Sequence, residues 1–195
     1  MKSLSSPIIY LFLLFILLPV FVHPFPVSAG DQPKADISDI IITTSETDLL
    51  FFCTVKNSFT PEMIKGIRNG IPITFTFLIE LDKVIDYWPD TTLTELTIHH
   101  TLTYDTLKEE YHIQLSEKNN HVVTTDSLAK AKEIMAELSG IKIIPRDKLI
   151  PDAPYALHVK AKLAKKKLPF NIHYLIPFIS LWDFETDWRT IEFRY

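Results

Sequence analysis

Residues 71–81 read IPITFTFLIEL, and this stretch decides the fold class. Ile71, Ile73, Phe75, Phe77, Ile79 and Leu81 alternate with Pro72, Thr74, Thr76, Leu78 and Glu80 without a break. Successive side chains of a strand point to opposite faces, so this alternation predicts a strand with one face in a core and the other half covered. Two later stretches repeat the pattern. Tyr155, Leu157, Val159, Ala161 and Leu163 alternate with Ala156, His158, Lys160 and Lys162, and residues 188–195 alternate again as a closing strand.

The remaining segments fill in around these. Residues 37–44 and 48–55 are apolar and β-branched, are separated by Ser45, Glu46 and Thr47, and read as a strand pair. Residues 94–104 and 110–116 read as a hairpin, and residues 121–124 as a short strand after the Asn119-Asn120 turn. Two helices are expected. One starts at Thr60-Pro61-Glu62, with a threonine cap, proline in the first turn and an acid beside it, and ends at Gly70. The other is expected over 125–138, capped by Thr124, with Leu128, Ala131, Ile134, Met135 and Leu138 as its apolar stripe and Gly140 as its stop. Residues 141–144 are expected to be extended. The prediction is one α+β domain of mostly antiparallel strands, as a single sheet or a sandwich, with two short helices.

The N-terminus carries a different signal. Lys2 is the only charged residue before Asp31, and an apolar run over 8–22 follows it. That run is long enough for a signal peptide and short of the roughly 20 residues that cross a bilayer core. Pro24 and Pro26 break any helix, and Val27-Ser28-Ala29 offers small residues to a signal peptidase. The expectation is a signal peptide over 1–29, cleaved between Ala29 and Gly30, and a single β-rich domain over 30–195 exported to the periplasm. The alternative is an uncleaved segment that anchors the protein in the inner membrane. The one cysteine, Cys53, lies far downstream and allows neither a lipid anchor near the N-terminus nor an intramolecular disulfide. It sits in an apolar run and reads as a buried thiol.

Composition removes several function classes. With 24 acidic against 20 basic side chains the net charge is −4, which argues against a general nucleic-acid binder. The four glycines, Gly30, Gly66, Gly70 and Gly140, cannot supply a dinucleotide fingerprint, a phosphate loop or a nucleophile elbow. No cofactor is implied. Of the seven histidines, His99 and His100 are adjacent in a strand and point to opposite faces, while His112 lies on the partner strand at a register the sequence leaves open. No ligand spacing gathers them, so no metal site is expected. Asp183, Glu185 and Asp187 could pair as acid and base only if a cleft brought them together. No catalytic residue is assigned.

One region stands out. Lys160, Lys162, Lys165, Lys166 and Lys167 precede a run containing Phe170, Tyr174, Phe178 and Trp182. Lysines beside aromatics suit an anionic membrane surface or a protein interface. The bland reading is that lysines guard an exposed strand edge and the aromatics fill the core. Lys165, Lys166, Lys167, Phe170, Tyr174, Phe178 and Trp182 are therefore the candidate interaction surface.

The order of several of these features resembles a known family. Gly70-Ile71-Pro72 precedes a strand ending at Glu80, Tyr87-Trp88 falls in the next loop, and Tyr104-Asp105 and Leu107 lead to Tyr111. Thr124, Asp126, Leu128 and Ala129 mark the helix, Leu168-Pro169 precedes Trp182, and Thr186-Asp187-Trp188 ends the series. Over residues 35–195 this is similar to the bacterial domain of unknown function family 4390, small exported proteins of proteobacteria. The resemblance implies an envelope protein of a Gram-negative cell and brings no activity, substrate or catalytic residue. The run Lys165-Lys166-Lys167 and residues 171–179 depart from the family pattern. The leading expectation is a non-enzymatic accessory domain that binds an envelope protein or an anionic membrane surface through 169–182. The alternatives are a carrier with a cavity for an apolar ligand and a cryptic hydrolase.

Overall fold

A computed structural model describes residues 34–164 and 184–195. Among the described residues nine strands lie in two antiparallel sheets, so the choice the sequence left open falls to two layers. The smaller sheet has the order β1-β2-β7 and comprises β1 (Asp36–Thr44), β2 (Asp48–Lys56) and β7 (Glu137–Pro145). The larger has the order β6-β5-β4-β3-β8-β9. Its strands are β3 (Ile73–Lys83), β4 (Thr91–Asp105), β5 (Glu110–Leu115), β6 (His121–Thr125), β8 (Pro154–Leu163) and β9 (Arg189–Arg194). Helix α1 (Pro61–Arg68) leads into β3, and α2 (Leu128–Ala136) links the large sheet to the small one.

The alternation read at 71–81 has the expected consequence. Ile73, Phe75, Phe77, Ile79 and Leu81 are buried, and β3 runs through the middle of the large sheet between β4 and β8. The inward residues of both sheets meet in one cluster that includes Leu49, Phe51, Cys53 and Val55 from β2 and Tyr155, Leu157, Val159 and Ala161 from β8. Phe75 lies between Phe59 at 5.0 Å and Phe184 at 4.7 Å, so the chain returning to β9 contributes to this core. Met63 and Ile67 of α1 and Ala131 and Met135 of α2 join the cluster. The Cys53 thiol is buried as expected, and that burial pushes its pKa up to about 12.

Helix α1 starts as read: the Thr60 hydroxyl accepts a hydrogen bond from the Met63 N–H at 3.2 Å, and Pro61 takes the first turn. Helix α2 is shorter than expected at both ends. Thr124 and Thr125 continue β6, paired with His112 and Tyr111, and Ser127 caps the helix in their place, accepting from the Lys130 N–H at 3.3 Å. Leu138 does not extend the helix but opens β7 opposite Cys53. Gly140, expected as a helix stop, sits inside β7 with φ +69 where the register shifts, and a Cβ there would touch the Phe52 ring at 3.9 Å. β8 is an inner strand: β9 pairs with it as far as Val159, and beside Lys160 and Lys162 the residues Phe184, Glu185 and Thr186 continue along its outer side. Lys160 and Lys162 therefore guard no sheet edge.

Candidate functional site

The sequence placed the interaction surface on Lys165, Lys166, Lys167, Phe170, Tyr174, Phe178 and Trp182, and the export cleavage between Ala29 and Gly30. All of these lie outside the described residues. What the structure describes is the pair of ends to which the 165–183 connection is joined. The Leu163 N–H donates to the Phe184 carbonyl at 2.9 Å and the Ala164 N–H to the Thr74 carbonyl at 2.8 Å. A bridge between Lys162 and Glu185 lies one step further in. β8 and β9 are thus neighbours in a hairpin, and the long connection departs from and rejoins the sheet at one corner.

The start of the domain is held at that same corner. The Lys34 ammonium lies 2.9 Å from the Asp187 carboxylate, and the Arg189 guanidinium grips Asp36 at 2.8 Å with both oxygens engaged. Lys34 lowers the pKa of the Asp187 carboxyl by a hydrogen bond and by its charge. The acid series considered from sequence is accordingly divided: Asp187 serves Lys34, and Glu185 pairs with Lys160.

The opposite end of the sheet carries exposed aromatics. In the connection from β3 to β4 the Ile85 N–H donates to the Asp90 carboxylate at 3.1 Å, and the Trp88 N–H to the Ile85 carbonyl at 3.3 Å. This turn holds Tyr87 at φ +65, a strained conformation for a side-chain-bearing residue, and leaves Tyr87 fully exposed and Trp88 76% exposed.

The histidines are resolved by register. His112 pairs with Thr103, so it faces neither His99 nor His100. His100 is 1% exposed on the inner face, with Nδ1 3.1 Å from the Met135 carbonyl and Nε2 3.3 Å from the Glu117 carboxylate. His99 points outward, its Nδ1 3.2 Å from the Thr76 hydroxyl. Among the described residues no group of three or more His, Cys, Asp or Glu side chains could hold a metal ion.

Sequence reasoning missed a polar line across β3, β8 and β9 on the outward face of the large sheet. Asp82 Oδ2 lies 3.4 Å from His158 Nε2, and His158 Nδ1 lies 2.8 Å from the Thr190 hydroxyl. His158 pairs with Thr190 across one ladder and with Glu80 across the other. One turn of the pleat away, Lys160 pairs with Glu185 and stands 5.7 Å from the centre of the Trp188 ring. Alternation in 155–163 put His158 and Lys160 on one face, but only the strand order brings Asp82 and Thr190 beside them.

The family profile described as "Domain of unknown function (DUF4390)" matches residues 32–192, and the chain belongs to that family. No curated protein matches the chain. No solved structure matches it. No helix among the described residues is long and apolar enough to cross a membrane.

Proposed function

We propose that this member of the DUF4390 family is an exported, non-enzymatic interaction domain that meets a membrane-proximal partner in the cell envelope. The working end, on this reading, is the corner where β8 ends and β9 begins. One observation carries it: two apolar parts of the sequence, residues 8–22 and 170–179, are joined covalently to segments that meet at this corner. Residues 8–22 connect through Lys34, held by Asp187, and residues 170–179 connect through Leu163 and Phe184, held by one backbone hydrogen bond. If cleavage follows Ala29, residues 170–179 and the preceding Lys165, Lys166 and Lys167 remain in the mature chain.

The filled interior supports a contact surface over a carrier. Phe51, Phe75, Phe77, Leu81, Leu102 and Leu157 have no exposed area at all, and the core that contains them is continuous. Charge supports the bilayer as partner, since each lysine near an anionic surface contributes about 1 kcal/mol and salt screens that term.

The experiment is sedimentation of the full chain with vesicles of phosphatidylethanolamine and phosphatidylglycerol. Changing Lys165, Lys166 and Lys167 together to Gln is expected to weaken vesicle binding about a hundredfold, at 1 kcal/mol per lysine, and added salt to weaken the wild type similarly. The melting temperature should stay nearly unaltered, because exposed charges contribute little to stability. A triple variant that binds as well as wild type would remove the membrane-proximal reading.

A further inference from the structure

We propose that Thr190 is an activated hydroxyl, with His158 as its general base and Asp82 as the group that orients the base, and that the outward face of β3, β8 and β9 accepts an acyl group from a neutral ester. The inference is independent of the membrane-proximal reading, since it concerns residues on a different face and a different chemistry.

The assignment follows from hydrogen-bond chemistry. Asp82 Oδ2 lies 3.4 Å from His158 Nε2, a charge contact off line for a hydrogen bond, and a carboxylate there favours the tautomer that carries its proton on Nε2. In that tautomer the lone pair is on Nδ1, which lies 2.8 Å from the Thr190 hydroxyl and accepts its proton. This is the order required for activating a hydroxyl: an acid beside the imidazole, and the imidazole bonded to the alcohol. Three strands distant in sequence supply the groups, and the ladder fixes them, because His158 and Thr190 are register partners.

Burial separates this line from an ordinary wet-face ladder. The Asp82 side chain is 17% exposed and His158 26% exposed, whereas Thr190 lies open to solvent. Oδ1 of Asp82 is buried and has no hydrogen-bond partner among the described residues. An orienting acid sheltered beneath its base, with the hydroxyl at the surface, is the arrangement that reacts with an incoming group.

The surroundings choose the class of donor. Glu80 is opposite His158, Glu192 follows Thr190 on the same side of β9, and the charge of Lys160 is met by Glu185. These carboxylates repel a phosphoryl donor and tolerate a neutral ester. Trp188, 43% exposed and two residues before Thr190, offers an apolar wall to an acyl chain. In the step, the Thr190 oxygen forms a bond to the ester carbonyl carbon and His158 Nδ1 takes the hydroxyl proton. The carbon–oxygen bond to the leaving alcohol then breaks, the alcohol departs with that proton where its basicity requires it, and Thr190 is left as an ester.

The test is treatment of the full chain with p-nitrophenyl acetate, read by peptide mass spectrometry for acetyl-threonine at 190. Acetylation at Thr190 is expected in the wild type and in Thr190→Ser, which keeps the hydroxyl. In His158→Gln it should be slower by on the order of a hundredfold, the lower range of general-base assistance. Asp82→Asn should slow labelling while leaving acetylation of surface lysines unchanged, a readout that a purely structural Asp82 would not move. Acetyl groups confined to lysines in the wild type, or equal labelling of Thr190 with and without His158, would overturn the proposal. Because Thr190→Ser changes no packing atom other than one methyl, loss of labelling there would also count against it.

Discussion

His100 and His158 stand on opposite faces of the same sheet, and the contrast between those faces organises the molecule. His100 is inward, edge-on to Phe77 at 5.0 Å, with Nδ1 bonded to the Met135 carbonyl and Nε2 shut in against the Glu117 carboxylate. His158 is outward, with one nitrogen facing Asp82 and the other bonded to a hydroxyl open to solvent. Two imidazoles of the same intrinsic chemistry thus become a structural tie and a candidate base. What separates them is which side of the pleat they occupy.

The largest expected effect belongs to the inner face. Phe77 is fully buried at the centre of β3, so Phe77→Ala removes its transfer energy and leaves a cavity, a loss of about 3–5 kcal/mol. Leu78, its half-buried neighbour on the outer face, should cost about 1 kcal/mol when changed to Ala. Chemical denaturation of both variants measures the difference. Equal losses would mean that something covers the outer face as completely as the core covers the inner one.

The second effect is smaller and more specific. The Met135 carbonyl is one of the last four of α2 and has no partner within the helix, and the His100 Nδ1–H donates to it. On the other side, His100 Nε2 and Glu117 Oε2 face each other at 3.3 Å, close enough for charge attraction but off line for a good hydrogen bond, and neither has another partner. His100→Ala strands both the carbonyl and the carboxylate, a loss of about 2–3 kcal/mol. Amide exchange in α2 should accelerate more than in β8, since the helix end is what the ring holds.

Much of this arrangement could be read from the chain, and the exceptions share a physical cause. Strands with one buried face are legible because each residue declares its side, as in 71–81 and 155–163. Helix α1 was legible because threonine, proline and acid occur together at its start. The start of α2 was misjudged because Thr124, Thr125 and Ser127 have the same capping chemistry, and β-branched threonines are also good strand residues. Pairing with Tyr111 and His112 took the threonines and left Ser127 as the cap. Its end was misjudged because Gly140 serves a bulge and a helix stop equally well. The line Asp82–His158–Thr190 was not legible at all. It depends on β3, β8 and β9 being neighbours, and no local signal orders strands that far apart in sequence.

Acid should act on the inner tie. Burial by itself raises the pKa of the Glu117 carboxyl, but His100, the backbone N–H of Glu117 and Lys118 outweigh that and leave it below the usual glutamate value. A folded-state value below the unfolded one contributes stability that is present above the unfolded pKa and is lost as pH falls through the folded one. Melting temperature should therefore drop as pH falls below about 4. The carboxyls of Asp39, Asp48, Asp105 and Asp187 are lowered as well and share in that loss. Glu117→Gln isolates the inner contribution: its melting profile should be flatter over the same range than that of the wild type. Parallel profiles would show that the surface pairs account for the whole acid limb.

The smallest expected effect on stability belongs to His158, and it sharpens the comparison most. Its contacts lie on the outer face, with the Asp82 and His158 side chains 17% and 26% exposed, so water can replace part of what a substitution removes. His158→Gln keeps a polar side chain on the strand and should cost no more than about 1 kcal/mol, the range of partly exposed pairs. His100→Gln, made in parallel, should cost more, because glutamine cannot reach Met135 and Glu117 at once in a packed core. The order reverses for chemistry. The variant at 158 should be nearly wild type in melting temperature and deficient in acylation of Thr190. The variant at 100 should melt early, yet label Thr190 normally at temperatures where it remains folded. If both variants lost stability and labelling in proportion, the two faces would not be separable, and the reactivity at Thr190 would be a by-product of the fold rather than a property of the line that faces it.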